Sequence, residues 1–140
     1  MDYKIYRETE AVDKTIASIR SNLGNWNVSQ STIDDGENIV LTIKKDDGTL
    51  IAGIVAWLWG AGIELEYLWV DINEQGKGLG SQLLRELERI ATDKGCHNIF
   101  TNTYSFQAPE FYSKFGYESM GVVSGFPDRV TKHFFKKKLR

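Results

Sequence analysis

The pattern of apolar and polar positions changes early in the chain from period two to helical spacing. Residues 4–8 alternate between polar and apolar, which predicts a short first strand. Apolar residues then recur every three or four positions, which predicts an amphipathic helix that Thr9 caps and Gly24 ends. The apolar positions of this helix are Val12, Ile16, Ile19 and Leu23. Residues 25–37 are polar and irregular, which favours a surface loop or a short second helix.

Three consecutive strands are predicted in the next part of the chain. Residues 38–45 alternate in polarity, and the dipeptide Asp47-Gly48 that follows is typical of a two-residue hairpin turn. An apolar strand is predicted at residues 50–58, a glycine-rich turn at 60–62, and a third strand at 63–71. Because every connection is short, we expect these strands to form a meander.

The strongest helical pattern follows, with one apolar stripe, charged residues on the other side, and Gly95 after its end. The stripe consists of Leu79, Leu83, Leu84, Leu87, Ile90 and Ala91. Beyond it we predict a strand at residues 98–103, a short helix with Pro109 in its first turn, and two strands at 117–123 and 130–139. The predicted order is β-α-βββ-α-β-α-ββ, which indicates a mixed α/β (α+β) sheet.

Composition narrows the classes of protein to consider. A chain of 140 residues is expected to form a single domain, residues 1–140, and its net charge of -2 disfavours nucleic acid and anionic membranes as partners. No apolar leader and no stretch of about 18 apolar residues occurs, so we expect a cytoplasmic protein. Cys96 is the only cysteine and is expected to serve packing. His97 and His133 lack spaced partners, so no metal site is predicted.

The loop from Gln75 to Gly80 carries the clearest chemical signal. Its glycines let the backbone approach a ligand, and the helix that begins there places a partial positive charge beside it, so the loop favours an anion such as a pyrophosphate. A Walker A loop is excluded because Gly78, in place of Ser or Thr, follows Gly76-Lys77. A dinucleotide fingerprint is excluded because its third glycine is replaced by Leu83.

Two motifs resemble those of a known family. The pattern Gln/Arg-x-x-Gly-x-Gly/Ala is filled by Gln75, Gly78 and Gly80, and it resembles the CoA-binding motif of the GNAT superfamily of N-acetyltransferases. The segment from Ala108 to Tyr117 resembles the second GNAT signature, Ala-x-x-Leu/Phe-Tyr-x-Lys-x-Gly-Phe/Tyr. The resemblance implies the GNAT fold, a mostly antiparallel central sheet flanked by helices, and acetyl-CoA as co-substrate.

The same resemblance implies which residues hold the cofactor. Members of the family use the main chain of the strand before the loop to bind the pantetheine arm, and the loop amides to bind the phosphates. On this chain the strand residues are Leu68, Trp69 and Val70, and the loop residues are Gln75, Gly76, Lys77, Gly78, Leu79 and Gly80. Ser105 stands where many relatives carry an asparagine that contacts the cofactor.

Catalytic roles are also implied. A thioester is attacked by a neutral amine, so a base must remove a proton near neutral pH. Glu64 occupies the place of the glutamate that is the base in some relatives, while Glu66 is one pleat closer to the thioester; both remain candidates, and period two would place them on one face with Leu68 and Val70. The resemblance assigns Tyr112 to protonation of the departing thiolate.

The acceptor is expected to be a primary amine on a small molecule. Aromatic residues on or beside the central strands could line its pocket, although core and sheet packing is the favoured role for each of them; they are Trp57, Trp59, Tyr67, Tyr104 and Phe106. Three alternatives are an acyl-CoA sensor without turnover, a protein or peptide amine as acceptor, and a nucleotide-binding switch. A homodimer, if one forms, is expected to use the strands between residues 117 and 139.

Overall fold

A computed structural model describes residues 2–34 and 36–140 of the chain. Contacts group the chain into two compact units, with Gly36 as the first residue of the second unit. The first unit contains one long helix, and the second contains a six-stranded sheet with its helices. The organisation of the whole chain as one domain stays a prediction.

The first unit differs from the sequence-based prediction in two ways. Residues 2–10 form no strand and are exposed, because alternation alone cannot create the hydrogen-bonded neighbour that a strand requires. Helix α1, Val12–Ser31, begins after Ala11 without a side-chain cap and continues through Gly24. A glycine costs a helix about 1 kcal/mol relative to alanine, which weakens the helix without ending it. The helix therefore occupies most of the predicted loop at 25–37, of which residue 35 lies outside the described residues.

The second unit confirms the predicted meander and the elements after it. Its strands are β1 (Glu37–Lys44), β2 (Leu50–Trp59), β3 (Gly62–Val70), β4 (Asn98–Tyr104), β5 (Glu118–Val123) and β6 (Lys132–Lys138). Its α-helices are α2 (Leu79–Asp93) and α3 (Pro109–Lys114), and short 3-10 turns lie at Ile72–Glu74 and Pro127–Arg129. The sheet order is β1-β2-β3-β4-β6-β5, and every neighbouring pair is antiparallel except β3 and β4.

The core lies on one face of this sheet, where the apolar stripe of α2 packs. Leu84, Leu87 and Ala91 of the stripe are fully buried, together with Ile54 of β2 and Leu65 of β3. Cys96 belongs to the same core, and burial raises the pKa of its thiol. Since α2 is fixed by this packing, its N-terminus is held at the end of β3, beside the candidate site.

Candidate active site

Strands β3 and β4 are neighbours over only part of their length. They pair in parallel from Gly62 with Asn98 to Leu65 with Thr101, and no further pair follows. Yet β3 runs on to Val70 and β4 to Tyr104. Beyond Leu65 and Thr101 the two strands therefore separate, and each leaves on its inner edge backbone groups that no neighbouring strand satisfies.

A bulge in β3 lies directly beyond the last pair. On the β2 side, Val55 pairs with Tyr67 and Ala56 pairs with Leu65, so Glu66 is the extra residue. The extra residue shifts the alternation of side chains by one, since buried Leu65 and the core-packed Leu68 are three positions apart. The prediction that Glu64 and Glu66 share a face with Leu68 and Val70 is therefore wrong for Glu64. Glu64 lies on the face away from the core.

The segment after β3 is built to turn tightly into α2. The carboxylate of Asp71 accepts a hydrogen bond from the Asn73 amide at 2.8 Å, which caps a short 3-10 turn. The Gln75 side chain donates to the Val70 carbonyl at 3.3 Å and so closes the loop back on the strand. Lys77 pairs with Glu74 at 2.6 Å. These contacts fix the segment without using the backbone amides of residues 76–81.

Two glycines give the loop its path. Gly76 has a φ of 80° and Gly78 a φ of 82°, in the left-handed region that side chains disfavour. Nothing lies within 4 Å of a Cβ built at either position, so conformation rather than crowding calls for glycine. Gly80 differs, because a Cβ there would lie in ordinary van der Waals contact with Phe111 at 3.6 Å and Val70 at 3.7 Å.

The amides of residues 76–81 form a continuous row without partners. The first amide to donate is that of Gln82, which bonds to the Gly78 carbonyl at 3.0 Å, and none of the six before it donates to any described residue. Unpaired amides at a helix N-terminus carry partial positive charge directed away from the helix. The row is thus a ready binding site for a phosphate or pyrophosphate.

Tyr112 lies beside the point at which β3 and β4 separate. Its side chain is 5% exposed, and burial raises the pKa of the phenol above its ordinary 10.0, while a hydrogen bond with the Thr101 side chain acts in the opposite direction. The Thr101 hydroxyl donates to the carbonyl of Leu65, the last residue of β3 that pairs with β4, at 2.9 Å. The phenol is therefore protonated at neutral pH and placed near the open cleft.

Ser105 is hydrogen-bonded to Thr131, in the segment that leads into β6. Its hydroxyl accepts a hydrogen bond from the Thr131 amide at 3.0 Å, and its own amide donates to the Thr131 carbonyl at 2.7 Å. Its predicted role in cofactor binding stays a prediction. Thr101 was missed by sequence reasoning, because one threonine within an apolar strand carries no signal of its own.

The predicted pocket aromatics divide into two groups. Trp57 and Trp59 lie on β2 on the face away from the core, and Trp57 is the cross-strand partner of Glu64. Tyr104 and Phe106 lie beyond the separation, where their rings stack with centroids 5.5 Å apart. Tyr67, just past the bulge, is exposed. The outward face of the central strands is thus both aromatic and acidic.

The chain matches the model of the acetyltransferase (GNAT) family over residues 3–117. The chain belongs to the GNAT acetyltransferase family. This confirms the resemblance found in the sequence, and the mixed, mostly antiparallel sheet flanked by helices confirms the predicted fold class.

Individual GNAT proteins agree with this assignment. The crystal structure of an acetyltransferase from Bacillus cereus is 33% identical, covers 97% of both chains and superposes with a TM-score of 0.78. The blasticidin-S acetyltransferase of Streptomyces morookaense is 36% identical over 90 residues; the match covers 64% of either chain, slightly under two thirds of that relative. A Bacillus anthracis acetyltransferase in complex with acetyl coenzyme A shares the fold, with 18% identity and a TM-score of 0.62.

The residues of this GNAT chain suit the co-substrate of the family. The row of unpaired amides from 76 to 81 matches the charge of a pyrophosphate, and the unpaired edges of β3 and β4 match the amide groups of an extended pantetheine arm. Within residues 2–34 and 36–140, no three His, Cys, Asp or Glu side chains are grouped as metal ligands. No helix there is long and apolar enough to cross a membrane.

Proposed function

We propose that the protein transfers the acetyl group of acetyl-CoA to a primary amine of a small molecule, by direct attack within a ternary complex. The observation that carries this proposal is the row of six unpaired amides at the end of the cleft between β3 and β4. A site for a pyrophosphate and a cleft for an extended chain with amide groups lie end to end. CoA carries a pyrophosphate followed by an extended pantetheine arm with two amide groups, in the same order.

The side from which the amine approaches follows from burial. Tyr112 and the stripe of α2 close the core side of the sheet, so the amine must reach the cleft from the outward face. Glu64 and the aromatic residues lie on that face, which suits a cationic amine before it loses its proton. The acyl carbon would then lie between the incoming amine and the phenol of Tyr112.

Each protein group has a defined task in this reaction. Glu64 or Glu66 takes a proton from the ammonium group, directly or through water, which frees the nitrogen lone pair. Backbone amides on the separated edge of β3 donate to the developing oxyanion. The Tyr112 phenol donates its proton to the departing thiolate, and the second proton that the nitrogen loses as it becomes an amide returns to the Tyr112 phenolate. The small-molecule acceptor is supported by the relative that acetylates blasticidin S.

A protonated Tyr112 also favours an enzyme over a sensor that only binds acyl-CoA. A sensor has no need of an acid beside the thioester, whereas a transferase does. If the protein forms a homodimer, we expect the interface to be at β5, because this edge strand is exposed along its whole length.

Release of free thiol tests the proposed function directly. We expect the purified protein to release CoA from acetyl-CoA only when an amine is added, from a panel of polyamines, aminoglycosides, amino acids, nucleoside antibiotics and lysine peptides. The acetylated amine should appear by mass spectrometry in equal amount. Tight binding of CoA without release by any amine would favour the sensor, and failure to bind CoA would overturn the proposal.

The two glutamates can be separated by the pH dependence of the rate. Replacing the true base by glutamine should lower kcat/KM by about 10²-fold near neutral pH. The loss should shrink as pH rises toward the pKa of the acceptor, because the amine then loses its proton without help. Glu64→Gln and Glu66→Gln are matched controls for each other. If both variants keep the wild-type rate and pH profile, neither glutamate is the base.

A further inference from the structure

A lysine surrounded by aromatic rings lies at the open end of the cleft. Lys132 on β6 is the cross-strand partner of Tyr104 on β4. Its ammonium nitrogen lies 5.2 Å from the centroid of the Tyr104 ring and 5.8 Å from that of Phe134. Phe106 stacks on Tyr104 at 5.5 Å, and Phe126 meets Tyr104 edge to face at 5.5 Å. We call these five residues the Lys132 cluster.

The ammonium group of the cluster has no anionic partner in the described part of the chain. Lys77, Lys94 and Lys137 each form an ion pair with a glutamate, whereas Lys132 forms neither an ion pair nor a hydrogen bond with any described residue. Lys132 is nevertheless half-buried. The aromatic faces hold the ammonium in place but use none of its three N–H donors, which stay available for an anion.

The position of the cluster connects it to the acceptor. Tyr104 is three residues beyond Thr101, so the cluster lies about 10 Å along the strand from the point of separation. Alternation places the side chains of Phe100 and Tyr104 on the same face of β4, and Phe100 is the partner of Glu64. The cation therefore lies on the face from which the amine approaches, several bond lengths from the reacting centre.

We propose that Lys132 binds a carboxylate of the acceptor, so that the preferred acceptors are amines that carry a carboxylate several bonds from the reacting nitrogen. This inference rests on the proposed function. Glutamate at one end of the face and lysine at the other would then match the ammonium and the carboxylate of a zwitterion. The side-chain amine of a diamino acid and the amine of a long amino acid have this arrangement.

Pairs of acceptors that differ only in the carboxylate test the proposal. We expect 6-aminohexanoate and lysine to have at least tenfold higher kcat/KM than hexylamine and cadaverine, mainly through KM. Lys132→Gln should raise KM for the carboxylate member of each pair only, and Lys132→Arg should restore much of the preference. Lys138→Gln removes the same charge from the far end of β6 and should leave the preference unchanged. An aminohexyl phosphate would show whether the site takes any anion or a carboxylate in particular.

Two results would overturn the carboxylate site without contradicting the proposed function. The first is equal kcat/KM for both members of each pair with the wild-type protein. The second is an equal loss of kcat/KM for both members in Lys132→Gln, which would indicate that Lys132 serves packing. Calorimetry provides a measurement that needs no turnover: the CoA complex should bind 6-aminohexanoate more tightly than hexylamine, and Lys132→Gln should abolish the difference. Failure of every amine to release CoA, with this binding difference intact, would contradict the proposed function and leave the anion site standing.

Discussion

Replacing Tyr112 by phenylalanine is expected to lower kcat by about 10²-fold or more while leaving the affinity for CoA within a few-fold of wild type. The phenol lies beside the end of the β3–β4 pairing, and burial raises its pKa above the ordinary 10.0, so it holds its proton through the whole neutral range. The midpoint of any loss of activity from its deprotonation should therefore lie above pH 10. Steady-state kinetics from pH 6 to 10, with CoA affinity from calorimetry, measures both quantities.

Tyr117 provides the matched control for this substitution. It is 4% exposed, its ring centroid lies 5.6 Å from that of Tyr112, and burial raises the pKa of its phenol as well. Its hydroxyl donates to Glu88 at 3.3 Å, away from the cleft. Tyr117→Phe should cost about 1 kcal/mol of the free energy of unfolding and leave kcat unchanged. If Tyr112→Phe also kept full kcat, Tyr112 would have no part in the chemistry.

A carboxylate at position 78 is expected to weaken CoA binding by roughly 100-fold, because it places a negative charge in the row of amides that would receive the pyrophosphate. Aspartate and asparagine both tolerate the left-handed conformation that Gly78 adopts, and the space around its Cβ is open. Gly78→Asn has the same size without the charge, so it should bind CoA far more tightly than Gly78→Asp. Calorimetric titration with CoA measures the difference.

Gly48 separates this effect from backbone strain. It has a φ of 90°, nothing lies within 4 Å of its Cβ, and it belongs to the hairpin turn between β1 and β2. Gly48→Asp should thus carry a conformational cost similar to that of Gly78→Asp without changing CoA affinity. Equal CoA affinity in Gly78→Asp and the wild-type protein would show that the amide row does not bind the phosphates.

The part of the fold that could be predicted is the part set by local pattern. The stripe of α2 and the proline at the start of α3 each specify their own element, and both are found where they were predicted. The hairpin at Asp47-Gly48 is also found, but the Lys45 amide donates to the Thr49 carbonyl, so its loop has three residues and not the predicted two. Residues 4–8 and the end of α1 were predicted wrongly. A strand depends on a partner distant in sequence, and one glycine lowers the stability of a helix without deciding where it ends.

The candidate site also has a part that local pattern predicts and a part that it does not. The anion loop was predictable because glycines at fixed spacing before a helix directly specify backbone geometry. The bulge at Glu66 was not, since it exists only through a mismatch in register between β2 and β3. That mismatch separates Glu64 from the face of Leu68 and Val70. Thr101 and Lys132 were missed for a related reason, because their significance lies in contacts with residues far along the chain.

The separation of β3 from β4 also gives the sheet two exposed edges in its interior. An exposed edge is ordinarily a template on which a foreign strand can add and start aggregation. Here the two edges meet at Leu65 and Thr101, so the opening is a wedge closed at one end. A β-strand of another chain carries side chains above and below the sheet and would meet the packed residues of α2 and α3 on the core side. The wedge can thus bind a narrow, extended ligand but cannot accept a β-strand from a second copy of the chain.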